Sequence, residues 1–286
     1  MIENGKVASG RVWFVTGATG GIGYAVTEAA IERGYQVVAT ARNLEALKPL
    51  VDGRPEQTLA LELDVTDAKA VRKAIEDAIS RFGHLDIVFN NAGYGHVGAI
   101  EEVSDNEMRQ QLEVNLFGVI NVTRAALPHM REQRSGHLLQ MSSLNGIEGL
   151  AGGGYYAASK FAIEGLSESL ADEVGHLGIK VTIIEPGPHR TRFLNPESPK
   201  WSPPIDDYAD SVGQVREVLS QLDGNQPGDP VRAARAIVTV VEAAEPPRRL
   251  PLGKMAFENI RAKLESQLAE LETWAHLGNS SDFPGD

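Results

Sequence analysis

Short apolar runs and longer amphipathic stretches alternate along most of this 286-residue chain. Arg11 to Thr16 (RVWFVT) is a β-branched and aromatic run of the kind that forms a buried strand. Tyr35 to Ala41, Thr58 to Leu63, Leu85 to Asn90, Gly136 to Met141 and Ile179 to Ile184 predict five more. Helices are predicted between them at Tyr24 to Arg33, Leu44 to Val51, Asp67 to Phe82, Ser104 to about Met130 and Tyr155 to about Val174. In the third helix Ala68, Val71, Ile75, Ala78, Ile79 and Phe82 recur at helical spacing. In the fourth, Met108, Leu112, Leu116, Val119, Ile120 and Leu127 form an apolar stripe that Asn115 interrupts. The alternation predicts an α/β fold: a doubly wound parallel sheet in three α/β/α layers, with right-handed crossovers.

After the sixth strand the pattern loosens. Pro188 to about Tyr208 is too rich in Pro, Ser and charge for a simple connection, and it reads as a mobile lid with Phe193, Leu194 and Trp201 as its apolar contacts. Asp210 to Leu222 and Pro230 to Ala244 predict two helices, and Arg248 to Gly253 a last edge strand. Lys254 to Leu277 carries Phe257, Ile260, Leu264, Leu268, Leu271 and Ala275 on one helical face, and the tail GNSSDFPGD reads as disordered. The expected organisation is one domain over residues 6–253, with 188–228 as lid and helix, followed by a C-terminal helix and tail over 254–286.

In a sheet of this kind ligands bind at the carboxyl ends of the strands. The residues found there are informative. TGATGGIG follows the first strand directly, so glycines and a helix N-terminus offer free N–H groups to a phosphate, with Gly17, Thr19, Gly21, Ile22 and Gly23 as candidates. The second strand ends in Ala41-Arg42-Asn43 without the acidic residue that takes ribose hydroxyls. Arg42 matches a 2′-phosphate there, which favours NADP(H) over NAD(H); its plain alternative is a solvated arginine opening the next helix. Asp64 and Val65 close the third strand and could meet an adenine, or Asp64 could cap the following helix. Asn91, Ala92 and Gly93, within NNAG after the fourth strand, suit the wall of a nucleotide crevice. Pro186, Gly187 and Thr191 follow the sixth strand.

Ser143 follows the fifth strand, and Tyr156 and Lys160 stand at i and i+4 on the next helix, so their side chains share one face. An ammonium close to a phenol lowers its pKa; a unit charge at about 4 Å in an effective dielectric of about 20 is worth roughly 4 kcal/mol, enough to bring a tyrosine near 7. Asn115, inside an apolar helix, implies either a hydrogen-bonding task or a local backbone adjustment.

Composition narrows the classes. The chain has no cysteine, which removes disulfides and thiolate chemistry and agrees with a reducing, cytoplasmic setting. Its N-terminus lacks a signal layout. A net charge of −12 disfavours nucleic acid and anionic membrane as partners. No histidine pair has metal-ligand spacing, so no catalytic metal is expected. His96 and His189 are read as exposed loop residues, with pocket lining as their alternative.

Together these residues resemble the short-chain dehydrogenase/reductase family in its compact branch. TGxxxGxG is met by Gly17, Gly21 and Gly23, NNAG by Asn90 to Gly93, and the catalytic set by Asn115, Ser143, Tyr156 and Lys160. The resemblance implies a Rossmann-fold oxidoreductase that moves a hydride between NADP(H) and a carbonyl or secondary alcohol, as a homo-oligomer. It implies Tyr156 as general acid/base, Lys160 as its charge partner, Ser143 as donor to the substrate oxygen, and Asn115 as holder of a water against the lysine. Tyr156 and Lys160 also count among the cofactor contacts, and Thr191 is placed to touch the nicotinamide carboxamide. Isomerases or dehydratases that recycle a bound cofactor, and non-catalytic nucleotide sensors, share the fold and are the alternatives.

Overall fold

The structure, a computed structural model, describes residues 10–194 and 200–283. The start of the expected domain at 6–9, lid positions 195–199 and tail positions 284–286 lie outside the described residues. Nine strands run β1 Val12–Thr16, β2 Gln36–Ala41, β3 Thr58–Glu62, β4 Ile87–Asn90, β5 His96–Val97, β6 Gly136–Met141, β7 Ile179–Pro186, β8 Lys200–Trp201 and β9 Arg249–Leu252 among the described residues. The helices are α1 Gly21–Glu32, α2 Lys48–Val51, α3 Ala68–Phe82, α4 Asp105–Leu112, α5 Gly118–Gln133, α6 Gly154–Val174, α7 Gln214–Leu222, α8 Pro230–Glu242 and α9 Lys254–Asn279.

Seven strands form one sheet in the order β3-β2-β1-β4-β6-β7-β9, every pairing parallel. The order reverses at β1, between β2 and β4, and opens the crevice where ligands of such sheets sit. Two apolar layers clamp the sheet. Ala25, Val26 and Ala30 of α1 and Ile237 and Val241 of α8 pack with Trp13, Val37 and Phe89 on one face. Val71 and Ile75 of α3, Val122 and Met130 of α5 and Leu170 of α6 pack with Phe14, Val38 and Leu138 on the other. Because β1 lies between both layers, all five of its residues are buried.

Local chemistry sets several boundaries. Asp67 caps α3 by accepting from the Lys69 and Ala70 amides, and Ser104 opens α4 with a reciprocal capping box to Glu107. The helix expected from Leu44 is only a 3-10 turn at Glu45–Leu47 followed by α2. Gly278 and Asn279, the first residues of the tail expected to be disordered, are helical, since α9 runs through Asn279.

The largest correction concerns the long helix from Ser104. A π-helical turn over Glu113–Phe117 separates α4 from α5 and adds one residue to the helical path. The face that packs inward is Gln111, Asn115, Gly118, Val122, Ala126 and Met130, while five of the expected stripe residues, Met108, Leu112, Leu116, Ile120 and Leu127, are only half-buried. Gly118 lets the helix cross close over Val65, where a Cβ would lie 2.5 Å from a valine methyl. The two short strands β5 and β8, absent from the pattern reading, pair with each other and tie the segment after NNAG to Trp201. No helix among the described residues is long and apolar enough to cross a membrane.

Candidate active site

The turn from β1 to α1 is built around glycines. Gly17 and Gly21 hold φ of +67° and +58°, a region that side chains disfavour. Gly23 is required by space: a Cβ there would run into the Asn91 side chain and lie 2.6 Å from the Gly17 carbonyl. Gly20 is the N-cap of α1 and no side chain caps the helix, so its first amides remain available to an anion. Thr19 and Ile22 sit half-buried on the turn. Pattern reading missed Arg192, whose Nη2 reaches the Thr19 carbonyl at 3.5 Å and lies 3.1 Å from where a Gly20 Cβ would be. It follows Thr191, which packs against Gly21 at 3.4 Å from a Cβ built there. A cation directly after a candidate ligand was the signal that could have found it. Uncapped amides beside a guanidinium fit the pyrophosphate of a dinucleotide.

Thr16, also missed, is the staple of the crevice. Its hydroxyl accepts from the Asn91 and Ala92 amides at 2.9 and 3.0 Å, joining the ends of β1 and β4. The Asn91 side chain donates back to the Thr16 and Gly17 carbonyls, so it pins the glycine turn. Arg42 is exposed at the end of β2, open to a ligand. Burial raises the pKa of Tyr94, and the Arg42 charge opposes that rise. Asp64 caps no helix: its carboxylate accepts from the Thr66 amide and hydroxyl at 2.9 and 2.8 Å, and the cap falls to Asp67. Val65 is buried under α5, with its carbonyl accepting from Asn121 at 3.0 Å. Pro186 ends β7, and Gly187 donates to the Leu252 carbonyl at 3.0 Å beneath the start of α9.

Asn115 lies in the π turn, fully buried, and explains why the helix bulges. Its Oδ1 accepts from the Tyr94 amide at 3.0 Å while its Nδ2 donates to the Tyr94 carbonyl at 2.9 Å and reaches Ser159 Oγ at 3.3 Å. One amide thus ties α6 to the loop after Gly93. Gly93 itself makes room at the centre, since a Cβ there would lie 3.1 Å from Asn115 Oδ1 and 3.8 Å from Lys160 Nζ.

Ser143, Tyr156 and Lys160 meet at the carboxyl end of β6. Ser143 faces the Tyr156 phenol, and its hydroxyl accepts from the Asn145 amide at 3.1 Å, which turns the chain out of the strand. Tyr156 is pushed up to about 12 by burial, with the Ser143 hydrogen bond opposing the rise. Lys160, 4 % exposed, donates to the Met141 carbonyl at 2.6 Å and sits 5.7 Å from the Tyr156 ring centre. Burial pushes it down to about 8, against the pull of Glu164. The expected fall of the phenol toward 7 is therefore not seen: the ammonium is turned to a backbone carbonyl, and burial dominates both groups. At neutral pH this leaves a protonated phenol beside a charged lysine. Tyr155 points elsewhere, its hydroxyl reaching the Ile100 carbonyl at 3.3 Å.

Phe193 lies over the site, with its ring centre 5.7 Å from that of Tyr156 and its edge against Gly95. Trp201 is stacked by the Arg216 guanidinium at 5.9 Å. His96 and His189 are buried, not exposed: His96 Nε2 pairs with Ser202 Oγ at 2.8 Å, and His189 Nδ1 with the Gly187 carbonyl at 2.9 Å. Each pins the segment on which it stands.

With this geometry in view, the relatives are informative. The family model described as short chain dehydrogenase matches residues 11–201. The chain is 38 % identical over 275 residues to an oxidoreductase of Botryotinia fuckeliana, spanning 95 % of this chain and 99 % of that protein. It is 34 % identical over 265 residues to a 3-ketodihydrosphingosine reductase of Bacteroides thetaiotaomicron, spanning 91 % and 94 %. A short-chain dehydrogenase from Streptomyces avermitilis shares 42 % identity and a TM-score of 0.89 over 95 % of this chain and 100 % of that one. The chain belongs to the short-chain dehydrogenase/reductase family.

Proposed function

We propose that this protein is an NADP(H)-dependent oxidoreductase that transfers a hydride between the nicotinamide and a carbonyl or secondary alcohol, with Tyr156 as general acid and base. The observation that carries the reading is the convergence of Ser143, Tyr156 and Lys160 on the crevice that also holds the uncapped glycine turn. Gly17, Gly21, Gly23 and Arg192 would hold the pyrophosphate, and Arg42 a 2′-phosphate. When bound, the dinucleotide supplies or accepts the hydride. The protein's own part is the proton. In the reducing direction Tyr156, protonated at neutral pH, donates to the oxygen on which charge develops, while Ser143 donates a hydrogen bond to the same oxygen. Lys160 supplies the positive charge that lets the phenol give up its proton in a dry site. Asn115 fixes the lysine's helix against the loop that walls the pocket.

The substrate class that fits best is a bulky, apolar carbonyl compound. Phe193 against Tyr156 gives the reacting oxygen an aromatic roof, and the 3-ketodihydrosphingosine reductase relative is named for a long-chain ketone. Tyr156→Phe is expected to abolish NADPH consumption with a panel of long-chain and aromatic ketones while leaving NADPH affinity near wild type. Substantial residual reduction would overturn the assignment, and turnover without net NADPH loss would favour a recycling isomerase.

A homo-oligomeric state is part of the same proposal. Beyond Ile260 the long helix α9 leaves Leu264, Leu268, Leu271, Trp274 and Leu277 each more than half exposed. The first half of α9 carries Lys254, Arg261 and Lys263 beside Glu258 and Glu265, and the second half carries Glu270 and Glu272, so an antiparallel pairing with α9 of a second copy sets a weakly positive half against a negative one across an apolar seam. Light scattering on Leu268→Glu with Leu271→Glu reads this directly: an unchanged mass refutes the pairing. A cytoplasmic location, carried by composition alone, completes the reading.

A further inference from the structure

One helical turn after Lys160, α6 carries Glu164, whose side chain is 7 % exposed, and the end of β7 carries Glu185, whose side chain is 0 % exposed. Arg249 on β9 lies against both, its Nε 3.0 Å from Glu164 Oε2 and 3.2 Å from Glu185 Oε1, while its Nη2 pairs with Glu168. A single guanidinium thus serves three carboxyl groups, two of them removed from water. It cannot satisfy them all. Both oxygens of Glu185 are buried with no aligned donor, and Glu164 Oε1 has only the Ser142 hydroxyl beside it. Gly146 keeps this space open, because a Cβ there would lie 3.1 Å from Glu164 Oε1.

Two carboxyls that close cannot both be ionised in a dry site, whereas one proton held between them turns an acceptor into the missing donor. The pair then keeps one negative charge, and Arg249 holds it in place. The groups that face Glu164 are Lys160 and Glu168 on its own helix, Ser142 at the end of β6, Glu185 from β7 and Arg249 from β9. Lys160 stands one turn before Glu164 on the same helix, with its ammonium on the Met141 carbonyl next to Ser142.

We propose that Glu164, its charge fixed by Glu185 and Arg249, is a positioning residue that keeps Lys160 protonated in its dry site. The functional meaning rests on the reading of Lys160 as the charge that serves Tyr156. The energetics agree in direction: burial is what lowers Lys160, and Glu164 is the group that resists the fall. Glu164→Gln removes the carboxylate that acts on Lys160 and leaves its proton held by the Met141 carbonyl alone.

The test is an NMR titration of protein labelled with carbon-13 at the lysine ε position, with the Lys160 signal assigned by Lys160→Met. In Glu164→Gln the Lys160 midpoint should fall by roughly one pH unit while the other lysines stay where they are. With a turnover substrate, the high-pH limb of kcat should move down with it and Glu164→Asp should restore most of the shift. If Glu164→Gln does not fold, Arg249→Met reads the same quantity, since both carboxyls then take up protons and the Lys160 midpoint falls again. A midpoint unmoved in a folded Glu164→Gln overturns the proposal. Failure of the underlying reading looks different: Lys160→Met would then keep normal turnover, whatever the titration shows.

Discussion

Replacing Glu185 by Gln should change how stability depends on pH, and the size of the change follows from where the residue sits. Glu185 is fully buried, and its carboxyl is pushed up to about 7 from 4.5 by burial first and by the neighbouring Glu164 second, with Arg249 opposing. The folded protein therefore keeps a proton on the Glu164–Glu185 pair that the unfolded chain releases above pH 4.5. Stability from this source is fully present below about pH 4.5 and is lost as the pH rises through about 7. A shift of that size is worth about 3 kcal/mol at most. His137 works in the opposite sense over part of the same range, so the wild-type curve alone hides the effect. The difference between wild type and Glu185→Gln cancels His137 and isolates it. Between pH 5 and pH 8 the variant should gain about 3 kcal/mol relative to wild type, or roughly 6 °C in melting temperature for a chain of this size. Urea denaturation at four or five pH values measures it. A difference curve that stays flat from pH 5 to 8 would show that the pair holds no extra proton.

Three further outcomes are expected. His137 is buried against Thr182 and held neutral, its pKa pushed down to about 3 by burial, so it contributes stability above 6.5 that is lost as pH falls toward 3; His137→Gln should flatten acid unfolding, worth about 3 kcal/mol between pH 6.5 and 4, in a urea titration. Gly23→Ala forces a methyl against Asn91 and the Gly17 carbonyl, and a loss of at least tenfold in NADPH affinity by fluorescence is expected. Arg42→Ala should weaken NADPH binding about tenfold and NADH binding little; an equal effect on both would remove Arg42 from the 2′-phosphate site.

Much of the sheet could be read directly, because its strands are short apolar runs set off by turns and each delivers its last residues to the same edge. That is why the sequence assigns Gly17, Asn91, Ser143 and Thr191 to one crevice. The misreadings share a cause: they turn on contacts between distant segments or on a change of helical phase. Periodicity across Ser104 to Met130 assumes an unbroken 3.6-residue repeat, so the stripe through Met108, Leu112 and Leu116 came out rotated from the true inward face. His96 and His189 read as exposed because what covers them, Ser202 bonded to one ring and Gly228 and Gly253 packed on the other, lies far along the chain. The spacing of Tyr156 and Lys160 gave their shared face correctly but not that the ammonium would bind the Met141 carbonyl. Glu185, a carboxylate closing the apolar run IKVTII, goes unread, because its meaning needs Arg249 from a strand more than sixty residues later.

The bulge in the helix between Leu112 and Gly118 has a consequence for protein engineering. Deleting one residue within Glu113–Phe117 would restore a regular α-helix, and Glu113 and Phe117, both exposed, are the positions that can be lost without removing a core side chain. The segment before the deletion would then turn by about 100° and slide by about 1.5 Å relative to the segment after it. The amide of Asn115 would leave the loop beyond Gly93, freeing the pocket wall while the sheet stays intact. A single-codon deletion at this point should thus dismantle the site and unseat Gln111 from the core while leaving the strand pairings of the sheet in place.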